Sequence, residues 1–238
     1  MHPWYTQPLA ALDFESTGLD VATDRIVSAA LWRIDPLQGD KSLAQWLADP
    51  GIDIPAQATR IHGITTDRAR REGRPAVEVI AEFAAHLRDA VDEGRPVVVY
   101  NAPYDLTLLH HELARHGQRL DCAGQLRVID PLVLDLHADP HRSQSRRLGR
   151  VCAHYGVSLP DEKAHTAAAD ALAAARLVWR LGHAHPALAG MSVEALHAAQ
   201  VRWKAEQAAA RQARLRRTTD PAAVVPASWP LNLAPAAV

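Results

Sequence analysis

The sequence predicts an α/β protein built on one mixed sheet with helices on its faces. Two observations lead there. Strand-like runs cluster near the N-terminus, and after Pro75 short β-branched runs alternate with longer segments of helical period.

In chain order, PLAALDFE and RIVSAALWRI read as strands joined by the turn-rich STGLDVATD, with SLAQWLA a third strand of the same meander. AVEVIAEFAAHLRDAVDEG places Val77, Ile80, Phe83, Ala84 and Leu87 at helical spacing, and Gly94 stops it. PVVVYN is long enough only for a buried strand. It leads into PYDLTLLHHELARHG, where Pro103 suits a first helical turn and Gly117 a helix end. LRVID is a further strand, residues 146–155 a short helix, and an alanine-rich helix runs from about Ala167 to about His183.

Beyond Pro186 the character changes. Ser192 suits the cap of a helix reaching about Arg217, in which Arg202, Lys204, Arg211, Arg214, Arg216 and Arg217 stand against Glu206. The last 19 residues hold four prolines and read as a loose tail. The expected division is therefore a main domain over 1–186, a basic helix over 187–217 and a Pro/Ala-rich tail over 218–238.

The 238 residues suffice for one sizeable domain with an appendage, and 48% apolar with 22% charged residues permits a buried core. A net charge of -1 removes any argument from global basicity. Two cysteines, Cys122 and Cys152, without a CxxC pair, disfavour a zinc site or a disulfide-stapled secreted domain. Without a signal-like N-terminus or a long apolar window, the expectation is a soluble cytoplasmic protein that engages no membrane.

Three places put acids at element boundaries. In LDFESTGLD, Asp13 and Glu15 lie two apart in a strand, so their carboxylates share a face and repel unless a hard divalent cation joins them. In VVVYNAPYD, Asp105 falls in a first helical turn, where it either stabilises the helix terminus or serves a site; Asn101 is a turn residue or a contact. In HTAAAD, His165 and Asp170 would lie about 140° apart on one helix, so cooperation requires His165 on the preceding loop, which LPDEKAH permits.

Together, DFESTG, NAPYD and HTAAAD, in that order, resemble the DEDDh family of 3′-5′ exonucleases over residues 8–182, with RIHGIT and VIDPLVL as supporting segments. Ser16 stands where threonine is commoner. The resemblance implies a ribonuclease H-like fold with a five-stranded mixed sheet. It implies that Asp13, Glu15, Asp105 and Asp170 hold two Mg²⁺ or Mn²⁺ ions, Asp105 partly through water, and that His165 is the general base.

For substrate, it implies that the main chain at Glu15 and Ser16 holds a terminal 3′-hydroxyl and that Thr17, Gly18 and Leu19 lie near the last nucleotide. Leu19 packs on a base or returns to the core; His62 touches the nucleotide or stabilises a turn; Tyr104 stacks on a base or packs its helix. Three arginine clusters are candidates for a phosphate track: Arg68, Arg70, Arg71 and Arg74; Arg142, Arg146, Arg147 and Arg150; and the C-terminal helix. The expected partner is a single-stranded or frayed DNA 3′ end. The alternatives are an RNA 3′ end and a noncatalytic binding module, and a polymerase or repair complex is a further partner.

Overall fold

The structure is a computed structural model that describes residues 3–160 and 164–233. After a 3₁₀ turn (Trp4–Thr6) come β1 (Leu9–Ser16), β2 (Ile26–Asp35) and β3 (Asp40–Asp49), then α1 (Ala56–His62), α2 (Thr66–Glu72) and β4 (Arg74–Pro75). The second half runs α3 (Ala76–Asp92), β5 (Val97–Val98), α4 (Ala102–Arg115), β6 (Val128–Ile129), α5 (Pro131–Ala138) and α6 (Leu148–His154). It ends with α7 (Ala167–Ala184), α8 (Pro186–Ala189) and α9 (Val193–Thr218).

The sheet is mixed, in the order β4-β3-β2-β1-β5-β6: the N-terminal meander is antiparallel, and β5 and β6 join β1 in parallel. Its six strands exceed the five expected. The sixth is β4, two residues beside Ala48 and Asp49, too short to leave an apolar signature in the sequence.

Alternation along β1 decides the layers. Leu12 and Phe14 join Ile80, Phe83, Leu87, Leu106 and Leu109 in the core beneath α3 and α4. Leu9 and Ala11 face the other way, onto Ala171, Ala174, Ala175 and Val178 of α7. Alanine along α7 lets this helix sit close to the strand, which matters for the site at its first turn.

Two features depart from the sequence reading. First, α9 closes the free edge of β6 with side chains: His197 Nδ1 accepts the Val128 N–H at 3.0 Å, while Gln200 accepts the Asp130 N–H at 2.7 Å and donates to the Val128 carbonyl at 3.0 Å. These backbone groups would otherwise lack partners. Second, the tail is not loose over 219–233. Trp229 is buried in the α3–α4 core, and the Asn232 N–H donates to Thr107 Oγ1 at 2.8 Å. Trp229, with Leu231 packed against the same core, supplies the burial that a loose tail lacks. The tail's remainder, 234–238, and the acid pair at 161–162 lie outside the described residues. No helix of the described residues is long and apolar enough to cross a membrane.

Candidate active site

Asp13 and Glu15 sit on the α7 face of β1, opposite Ala30 and Ser28 of β2, small neighbours that leave the space above the carboxylates open. A register shift at Glu15/Ser16 then ends the strand. Asp170 enters from the first turn of α7, whose start is fixed by the Trp32 indole donating to the Ala168 carbonyl at 2.7 Å. One oxygen each from Asp13, Glu15 and Asp170 lie within 4.8 Å of one another.

Asp105 arrives separately, from the first turn of α4. It is 3% exposed, and its Oδ1 accepts the Phe14 N–H at 3.2 Å. The four predicted acids are therefore three converging carboxylates and one held against the backbone between Asp13 and Glu15.

Electrostatics follow from this crowding. Burial, then the charges of Asp105, Glu15 and Asp170, push Asp13 well above the usual carboxylate range. Burial and then Asp170 push Glu15 up to about 8. Asp105 is raised by burial against the opposing Phe14 N–H, and Asp170 by burial against the nearby His165. Asp170 Oδ1 is buried with no hydrogen-bond partner among the described residues. Three converging carboxylates, one with an orphaned oxygen, fit a hard divalent cation.

His165 lies before α7, as its joint use with Asp170 requires. Its backbone is left-handed (φ 63°), its side chain is exposed, and its N–H donates to Asp170 Oδ2 at 3.3 Å. His62, at the end of α1, is buried: Nδ1 accepts the Ile64 N–H at 3.1 Å, and Nε2 has no hydrogen-bond partner among the described residues. Burial lowers its pKa, and His165 adds to the effect. Glu15, His62 and His165 share a cleft of about 350 Å³ with Ser28, Gln45 and Arg68.

The turn after β1 is locked from both sides. Tyr104 Oη bonds the Ser16 hydroxyl and donates to the Gly18 carbonyl, both at 2.6 Å, so its hydroxyl braces the turn. Thr17 is buried and donates to Asp24 at 2.6 Å. A Cβ at Gly18 would stand 2.5 Å from the Asp24 carboxylate, which explains glycine there. Leu19 is 85% exposed and does not return to the core. Asn101 contributes its left-handed backbone (φ 64°) instead of a side-chain cap to α4.

The arginine clusters fare unequally. Arg68, Arg70, Arg71 and Arg74 pair on the surface with Glu72, Asp53, Glu72 and Glu82. In the second cluster, Arg142 and Arg146 both turn inward onto the buried Asp135, leaving only Arg147 and Arg150 exposed. Arg202, Arg211, Arg214 and Arg217 of α9 are exposed and form no ion pair among the described residues. Sequence reasoning also missed Asp24, Trp32 and Asp130 as residues that shape the site. Only Asp130, standing before Pro131, carried a local signal, that of a helix N-cap.

Residues 10–178 match the family model described as exonuclease, of RNase T type. A DNA polymerase III subunit epsilon-like protein of Rhodobacter capsulatus is 32% identical over 173 residues, 71% of this chain but 23% of that protein. DNA polymerase III subunit epsilon of Rickettsia prowazekii is 28% identical over 164 residues, 67% of each. E. coli exonuclease I, solved in complex with a dT13 oligonucleotide, shares the fold with a TM-score of 0.64 at 19% identity, over 76% of this chain and 42% of that one. The chain thus spans less than half the length of two of these three.

Proposed function

Because the chain belongs to the exonuclease family, we propose that it is a metal-dependent 3′-5′ exonuclease releasing nucleoside 5′-monophosphates from single-stranded or frayed DNA. The observation that carries this reading is the convergence of Asp13, Glu15 and Asp170 within 4.8 Å, with Asp105 held beside them. The preference for DNA is supported by the names of the polymerase III epsilon relatives and by the dT13 bound to exonuclease I. The same names support a polymerase as partner.

Asp13, Glu15 and Asp170 would hold the cation, with Asp105 beside them as a further ligand. Mg²⁺ or Mn²⁺, two ions in this scheme, supplies neutralisation of the gathered negative charge and a lower pKa for bound water. His165, exposed at the cleft, takes the proton from the attacking water. The water oxygen bonds to phosphorus and the bond from phosphorus to the 3′-oxygen breaks. That oxygen takes up a proton and becomes the new 3′-hydroxyl of the shortened strand.

The Ser16–Leu19 turn seats the terminal nucleotide: main chain at Glu15 and Ser16 receives the 3′-hydroxyl, and the exposed Leu19 packs on the base. His62 and Asn101 complete the walls.

The test is incubation of purified protein with end-labelled single-stranded DNA, duplex DNA and RNA in Mg²⁺, Mn²⁺ or chelator. Mononucleotides released from 3′ ends of DNA, in metal only, are expected. Activity surviving chelation or Asp13→Ala overturns the metal reading. Faster release from RNA favours the exoribonuclease alternative, and binding without release identifies a noncatalytic module.

A further inference from the structure

We infer that Asp130 is a positioning residue for Asp105, and that the C-terminal segment, through Gln200 and Trp229, holds Asp130 in place. The inference rests on the reading of the acidic cluster as a metal centre.

Asp130 is fully buried, and its carboxylate gathers four N–H donors. Oδ1 accepts from Asn101 at 2.9 Å and from Leu132 at 3.0 Å; Oδ2 accepts from Ala102 at 2.9 Å and from the Trp229 indole at 3.4 Å. Two of these donors are the backbone groups at the start of α4, a helix without a side-chain cap of its own. Asp130 thus caps α4 from a distant part of the chain and stabilises the left-handed backbone at Asn101, which a non-glycine residue adopts at a cost. Asp105 follows three residues after Ala102. The direction in which α4 leaves this turn sets whether Asp105 Oδ1 meets the Phe14 N–H, and therefore where its other oxygen stands relative to Asp13.

Asp130 is itself held from two sides. Its own N–H donates to Gln200 of α9, and Trp229 covers Oδ2. Both lie beyond residue 178, where the family match ends. The C-terminal segment therefore supports the catalytic acids through a buried carboxylate, and the polar contacts that do so are with Asp130.

Trp229→Phe keeps a buried ring and removes the indole N–H. In full-length protein, Mn²⁺ binding is measured by electron paramagnetic resonance, alongside thermal midpoint, kcat and KM for single-stranded DNA. Val79→Ala, in the separate cluster between α3 and β3, is the control for lost stability. Trp229→Phe is expected to weaken Mn²⁺ binding about 10-fold, the usual size for loss of a partner behind a metal ligand. KM for DNA should stay near wild type, and Val79→Ala should lower the midpoint with Mn²⁺ affinity intact. Asp130→Asn puts a donating NH2 in place of one of the two accepting oxygens, each of which serves two N–H groups, and should exceed the effect of Trp229→Phe. Wild-type Mn²⁺ affinity in Trp229→Phe overturns the inference, as does a matching loss in Val79→Ala. If wild-type protein itself binds no Mn²⁺, the metal reading fails first, and the two failures are told apart.

Discussion

Glu15 and its neighbours are acids placed where burial, joined at Asp13 and Glu15 by repulsion from nearby carboxylates, disfavours the charged form in the absence of a cation. The folded chain holds the Glu15 proton up to about pH 8, whereas the unfolded chain releases it near 4.5, so stability falls as pH rises between those values. Asp13, Asp105 and Asp170 are shifted in the same direction. In chelator, the thermal midpoint is expected to be lower at pH 8 than at pH 6, with Mn²⁺ restoring more at pH 8. A midpoint indifferent to pH and metal would remove the electrostatic account. His165 reaches Asp170 through its main-chain N–H, so His165→Ala should lower single-turnover rate by about 100-fold or more while Mn²⁺ binding persists. Undiminished turnover would exclude it as base.

The turn from Ser16 to Leu19 and the helix α9 are the elements most open to test. Tyr104→Phe deletes the hydroxyl that bridges Ser16 and Gly18, at a cost of about 1 kcal/mol in stability, and should raise KM more than it lowers kcat. Steady-state kinetics with a denaturation midpoint decides it; unchanged KM would leave the brace without a role in binding. On α9, replacing Arg211, Arg214 and Arg217 by Gln should shrink the slope of log K against log salt by about 2 for single-stranded DNA. An unaltered slope would take α9 off the strand's path. The inward-turned Arg142 and Arg146 show why a run of arginines misleads: the acid that claims them, Asp135, is one buried residue within the apolar PLVLDLHA.

For the molecule as a whole, the sequence was most readable where chemistry dictates residue type at an element's end. Asp13, Glu15 and Asp170 converge because a strand period and a helix start place them, and both periods are visible locally. The helices α1 and α2 escaped notice because seven residues span barely two turns and show no apolar stripe. The link between Asp130 and Trp229 was illegible for another reason. Apart from Leu132, the partners of Asp130 lie 28, 29, 70 and 99 residues away, so no window of sequence contains the network.

That separation has a consequence for synthesis. The N–H of Asp130, at the end of β6, is bonded by a glutamine made 70 residues later. At roughly 5–20 residues per second, a nascent chain carries that strand uncovered for several seconds. Until α9 emerges, β6 offers its bonding edge to any neighbouring chain, and the turn bearing Asp105 lacks its last supports. Nuclease competence should therefore appear late on the ribosome, after the C-terminal segment has docked.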